Sequence, residues 1–209
     1  MIPVKILAVR YLPGAEPRFA KALGVAEGHN CLGMLTTDCD DATYIALDEA
    51  TKAADVQVCY ARSFYAGAGN ATTPYAGEVI GILAGPNPGA VRSGMEAALS
   101  ALERVGFADV GVPCLAHTVS SCGSFLAKEA SVPEGSAIAY LIAPPLESMY
   151  ALDAALKAAD VKLCKLYSPP SPTNFGGGLL CGSQSACDAA CAAFRQAVME
   201  VASQPKGGA

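Results

Sequence analysis

Four carboxylates stand out in this chain by type and by position. Asp38, Asp40 and Asp41 crowd the start of one helical segment, and Glu78 opens an apolar run directly behind a glycine-rich stretch. One acid at a helix start is ordinary, because its oxygens accept the free N–H groups of the first turn and gain from the helix dipole. Three are more than a cap needs, and grouped carboxylates suit a small cation. The matching places later in the chain hold Ala143-Pro-Pro-Leu146 and Gly178 instead, so the acids belong to one half alone.

Other chemistry is sparse. The two histidines, His29 and His117, stand in a Gly/Asn turn and in an alternating strand, where a solvated loop residue and a satisfied, partly buried side chain are the simplest readings. Neither a nucleophile elbow nor a phosphate-binding loop is present. Cys187 and Cys191 lie one helical turn apart and could share a soft metal, but no second pair completes the four ligands of a structural zinc site. The chain reads as a protein that is not an enzyme, with no catalytic residues, no metal and no cofactor.

The elements that must position the acids are repeated. Ala46-Leu-Asp-Glu-Ala-Thr-Lys-Ala-Ala-Asp-Val56 returns as Ala151-Leu-Asp-Ala-Ala-Leu-Lys-Ala-Ala-Asp-Val161, and the echo extends to Ala20-Lys21 with Ala127-Lys128. A period of this length is a whole small domain rather than a solenoid unit. Two domains follow, 1–108 and 109–209. Periodicity and turn residues give each the order β-α-β-α-β-β-α, an α+β arrangement of one mainly antiparallel sheet with helices on one side. In the first copy the strands are Val4–Leu12, Cys31–Thr37, Asp55–Ala61 and Glu78–Ala84. The helices are Pro17–Leu23, Ala42–Ala54 (capped by Asp40 or Asp41) and Gly89–Val105. Between the third and fourth strands lie long Gly/Pro loops, Arg62–Gly77 and Tyr167–Gly178, and such loops in a compact domain are usually functional.

Composition narrows the class. Hydrophobic residues make up 52% and charged residues only 16%, against a usual share of about 25%. Alanine accounts for much of the excess, which points to faces buried against other subunits. A formal net charge of −5 argues against nucleic acid and against an anionic membrane surface. No run approaches the ~18 apolar residues of a membrane span, and the start of the chain lacks a signal segment, so a cytoplasmic protein is expected. The nine cysteines read as reduced, mostly buried small hydrophobes.

Several motifs carry a family resemblance. Asp38-Cys-Asp-Asp41 with Thr43-Tyr44, Ala46-Leu-Asp-Glu-Ala-Thr-Lys52, Ser63-Phe-Tyr-Ala-Gly-Ala68, Ala76-Gly-Glu-Val79, Gly85-Pro-Asn-Pro88, Ala143-Pro-Pro-Leu-Glu147 and Gly182-Ser-Gln-Ser-Ala-Cys187 resemble the EutL family. These are tandem-domain shell proteins of ethanolamine-utilising bacterial microcompartments, and the resemblance covers nearly the whole chain. It implies two circularly permuted BMC domains, a homotrimer with pseudohexameric outline, and a place in the microcompartment shell beside other shell proteins. It also implies a gated central pore and smaller pores within each subunit. For the small-pore site, which takes an ethanolamine-like amino alcohol, the resemblance indicates Asp40, Asp41, Glu78, Phe107, Thr173, Asn174 and Phe175. The loop residues Arg62, Ser63, Phe64, Tyr65, Gly67, Gly69, Gly176 and Gly177 are the candidates for the pore gate. The chain departs from the family at Ser120-Ser-Cys-Gly123, where the family carries Ser-Arg-Thr-Gly, and at Phe175, where it carries Tyr.

The reading is therefore a structural shell tile that passes metabolites, in ethanolamine catabolism. Two others stand beside it: a cytosolic trimeric ligand-sensing protein built from the same units, and a tile of a related choline- or ethanol-type microcompartment.

Overall fold

A computed structural model describes residues 1–64, 78–169 and 175–206. Its contacts divide into two compact units. The first comprises Pro3–Gly106 and Gly123–Leu126; the second comprises Met1–Ile2, Phe107–Cys122 and Ala127–Ala209.

The first unit holds β1 (Ile6–Leu12), α1 (Pro17–Ala22), β2 (Cys31–Thr37), α2 (Asp40–Ala53), β3 (Gln57–Phe64), β4 (Glu78–Gly85) and α3 (Pro88–Leu102). Its sheet is antiparallel throughout, in the order β1-β2-β4-β3. The chain then adds β5 (Ala108–Asp109), β6 (Pro113–Val119), α4 (Ser124–Ala130), β7 (Ala137–Ala143), α5 (Pro145–Ala158), β8 (Val161–Tyr167), β9 (Gly176–Gly182) and α6 (Gln184–Ser203). Without the two-residue β5, the second sheet has the order β6-β7-β9-β8, which repeats the first. Even the irregularities recur. The register slips at Cys59 in β3 and at Cys164 in β8, both edge strands, and a bulge of this kind twists an edge away from pairing.

Alternation explains how each sheet is covered. In β2, Gly33 faces α3, and a Cβ there would come within 2.8 Å of Val91 and 2.9 Å of Met95. Its neighbours Leu32 and Met34 point the other way and join Ile82, Ala84, Ala15 and Ala20, so the short α1 packs over the opposite face from the long helices. In the second unit, Ala137, Ala139, Leu141 and Ala143 of β7 share a core with Ala151 and Ala155 of α5 and with Cys187, Cys191 and Phe194 of α6. Cys187 and Cys191 are thus core residues. Burial pushes the Cys191 thiol up to about 11, and the Thr118 hydroxyl lies 3.5 Å from its sulfur. Among the described residues no helix is long and apolar enough to cross a membrane.

Two of the expected loop assignments need correction. β3 continues through Phe64, so Arg62, Ser63 and Phe64 are strand residues paired with Ile80, Val79 and Glu78. Their polarity is compatible with a strand because β3 lies at the sheet edge. β9 begins at Gly176, so Gly176 and Gly177 lie buried in an inner strand rather than in a loop. A Cβ on Gly177 would collide with the Leu141 carbonyl oxygen, and its φ is +148°; one on Gly178 would stand 2.5 Å from the Lys165 carbonyl oxygen. The glycine run lets three backbones approach. Tyr65, Gly67 and Gly69 lie outside the described residues.

A buried acid secures the first unit. Asp48 on α2 is enclosed, and its two oxygens accept the N–H groups of Gly123 (2.7 Å) and Leu126 (2.8 Å), at the start of α4. Thr51 adds a bond from the Ser124 N–H at 3.2 Å. Gly123 is required here, since a Cβ would meet the Asp48 carbonyl oxygen at 2.8 Å.

Asp48→Ala strands two enclosed donors and is predicted to cost roughly 2–4 kcal/mol, read as a lower urea midpoint with unchanged slope. Gly177→Ala forces both a backbone clash and a disfavoured φ. A loss of about 3 kcal/mol or more is expected in the same measurement, and a near-neutral result would contradict the close approach described here.

Candidate ligand-binding site

The sheet register gathers the acids at one end of the first unit. Thr37 of β2 and Ser63 of β3 both pair with Val79 of β4, in one row across the sheet. Glu78 stands at the next step, where β4 begins, and the chain leaves β2 at the same end to enter α2 through Asp38, Cys39, Asp40 and Asp41. Asp38, Asp40, Asp41 and Glu78 are all buried.

The turn into α2 is tied by hydroxyls, and the helix starts at Asp40, two residues earlier than expected, so neither aspartate is the N-cap residue. Cys39 is the N-cap residue and makes no side-chain capping bond. Instead the Cys39 N–H donates to the Thr37 hydroxyl at 3.1 Å, the Thr43 hydroxyl donates to the Cys39 carbonyl at 2.8 Å, and the two hydroxyls lie 2.7 Å apart. Asp40 and Asp41 are thereby placed in the first turn, where the dipole favours negative charge and Asp40 Oδ1 accepts the Asp41 N–H at 2.9 Å. Asp38 faces β1: its N–H donates to the Lys5 carbonyl at 3.2 Å, and its carboxylate accepts the Lys5 N–H at 2.7 Å.

Asp40 sits nearest to a chemical function. Burial pushes its carboxyl up to about 6, against the pull of hydrogen bonds from the Asp41 N–H and the Ser63 side chain. Tyr44, one turn further along α2, is raised to about 12 by burial, with Ser63 opposing and the charges of Asp40 and Asp41 adding. The Cys39 thiol is held well above its ordinary range by burial, and all three aspartates contribute. Glu78 is the open member: its Oε2 is enclosed yet has no hydrogen-bond partner among the described residues. An enclosed carboxylate oxygen left without a donor is costly, and a cationic or N–H-bearing ligand would relieve it.

Phe107 and Phe175 belong to the second unit, where their rings meet at 5.7 Å between centroids and 51° between planes. Phe107 is buried, and its carbonyl accepts the Ile2 N–H at 2.7 Å. Thr173 and Asn174 lie outside the described residues. Ser63 and Tyr44 take part in the acidic site although the sequence singled them out only within family motifs and, for Ser63, as a loop residue; the i, i+4 spacing of Asp40 and Tyr44 was the available signal. His29 is half-buried with Nδ1 enclosed, rather than solvated.

Comparisons with known proteins match this architecture along the full chain. The BMC domain model matches residues 31–112. The bacterial microcompartment shell protein EutL of Clostridium perfringens is 57% identical over 212 residues, spanning 99% of this chain and 98% of the relative. The chain belongs to the EutL family of bacterial microcompartment shell proteins. EutL of Escherichia coli is 45% identical over 210 residues, with 98% and 96% covered. The crystal structure of EutL from Leptotrichia buccalis superposes with a TM-score of 0.94 at 55% identity, covering 99% of this chain and 98% of that one. A trimeric shell protein, PduB, shares the fold at a TM-score of 0.82 and 19% identity, with 95% and 89% covered. These EutL relatives are named as shell proteins rather than enzymes, in keeping with the absence of a catalytic constellation in this sequence.

The carboxyl at about 6 has a checkable sign. The unfolded chain releases the Asp40 proton near 3.8, so between the two values the folded state binds more protons. The stabilising contribution of this group is fully present below about 3.8 and is lost as pH rises through about 6. Asp40→Asn is therefore expected to be more stable than the parent above about pH 6, with the gain shrinking toward pH 4. Urea midpoints across that window test it, and a gain independent of pH would rule out ionisation as its source.

Proposed function

We propose that this chain forms a homotrimeric tile of pseudohexameric outline in the shell of an ethanolamine-utilising microcompartment, beside other shell proteins in the cytoplasm. Membership of the EutL family supports the shell role, and two units of equal topology support the outline, because two domains in each of three chains give six similar sectors. The tile carries a central pore, with the segments following Phe64 and preceding Phe175 as its gate. Asp40, Asp41 and Glu78 bind the ammonium group of a small amino alcohol, with Phe107, Thr173, Asn174 and Phe175 completing the site.

The observation that carries the ligand reading is the enclosed Glu78 oxygen, without a partner among the described residues, at the same end of the first unit as two further buried carboxylates. An ammonium group supplies three donors and a positive charge to such a place, and a neutral diol supplies only weaker donors. Binding must stay weak, because a pore has to release what it takes up.

Calorimetry with ethanolamine at about pH 7 tests the site. Replacing one carboxylate in a charge-assisted contact costs roughly 1.5–3 kcal/mol, so Glu78→Gln should bind at least tenfold more weakly than the parent. Ethane-1,2-diol should bind the parent more weakly than ethanolamine does. Equal affinities of parent and variant would remove Glu78 from the site.

A further inference from the structure

Two pairs of helices in the two halves of the chain match residue by residue. α2 and α5 each run fourteen residues and stop at an alanine of extended backbone, Ala54 and Ala159. Matching Ala46 with Ala151 places Asp41, Ile45, Asp48 and Lys52 at Leu146, Tyr150, Asp153 and Lys157. α1 and α4 also end alike, the Val25 N–H bonding to the Ala20 carbonyl and the Val132 N–H to the Ala127 carbonyl. Matching Ala20 with Ala127 sets Glu16 beside Gly123 and Phe19 beside Leu126.

Only one of these helix faces is covered. On α2, Ile45 and Asp48 are 0% exposed, and the strap Gly123–Leu126 lies on Asp48. On α5, Leu146 is 63% and Tyr150 50% exposed, and the Asp153 side chain is 64% exposed. The matching strap is bare as well: Phe19 is 45% exposed where its counterpart Leu126 is 1% exposed. The chain thus presents both halves of a contact that it also makes internally.

We propose that the start of α1 in one copy, Glu16–Phe19, docks on the Leu146–Tyr150–Asp153 face of α5 in a second copy. The partner is this same chain, and the inference rests on the trimer reading above, for which it supplies the seam. Patch and counter-patch lie on different parts of the chain, so the contact is head-to-tail, and a repeated rotation closes it into a ring. Phe19 covers the apolar stretch of α5, in the place of Leu126, which is buried where its N–H bonds to Asp48 of α2. The polar part differs. Gly123 has no side chain and leaves its N–H groups to Asp48, whereas Glu16 already caps its own helix, accepting from the Arg18 and Phe19 N–H groups. A Cβ on Gly123 would stand 2.9 Å from Lys52 Cγ, and so Glu16 arrives beside Lys157, the lysine in the place of Lys52. The seam between copies is ionic where the one inside the chain is hydrogen-bonded to backbone.

Light scattering across a dilution series tests this on the full chain. The parent should show the mass of three chains. Phe19→Ser and Lys157→Glu, both at exposed positions of the single chain, should each raise the concentration of half-dissociation at least tenfold with an unchanged urea midpoint at high concentration. A photo-crosslinking phenylalanine analogue at position 19 should capture the α5 peptide of another copy. A trimeric parent with undiminished variants and crosslinks elsewhere would overturn this seam and leave the trimer standing. A monomeric parent would remove both.

Discussion

A single enclosed carboxylate holds the start of α4 on α2. Asp48 meets two backbone N–H groups about seventy-five residues further along the chain. Burial raises its carboxyl above the usual range while the two amides pull it down. Such an arrangement is stable only when every part is in place: the glycine that lets the backbones touch, the threonine that takes the third N–H, and the helix that presents both. Local choices at Gly123, Thr51 and Asp48 agree with one another, which is how a fold with few charges and many alanines obtains a unique arrangement.

Much of the architecture was legible because the physics was local. Cys31–Thr37 has the bounds expected from its alternation, and Pro88–Leu102 overlaps the expected helix Gly89–Val105, starting at the proline and ending three residues earlier. The failures came where tertiary context overrode composition. Arg62-Ser-Phe64 looks like loop because two of three residues are polar, yet an edge strand accepts polar residues. Gly176-Gly-Gly178 looks like a hinge because glycine is permissive, yet here the missing side chains make room for neighbouring strands. β5 is two residues long and leaves no periodic trace.

The acidic site was half legible. Asp40, Asp41 and Glu78 stood out by their number and by their absence from the second copy, and the sheet register does bring their chain segments to one end of the first unit. What the residues alone did not disclose was the division of labour. Thr37 and Thr43 take over the turn into α2, Asp38 turns to β1, and Ser63 reaches Asp40 from a neighbouring strand. Capping preference misplaced the boundary because α2 begins at Asp40 rather than Ala42, so both aspartates lie inside the first turn and Cys39 is the N-cap residue.

The confinement of these acids to one copy sets a stoichiometry. A ring made of six identical single domains would repeat any pocket six times, and six clusters of buried carboxylates would repel one another around its axis. With two unlike copies per chain, a three-chain ring carries the cluster on every other sector, and alanine, proline and leucine fill the alternate positions at Ala143, Pro145 and Leu146. Duplication thereby halves the number of acidic stations while keeping the outline, and it leaves the acid-free sectors to vary in sequence without touching whatever the acids hold.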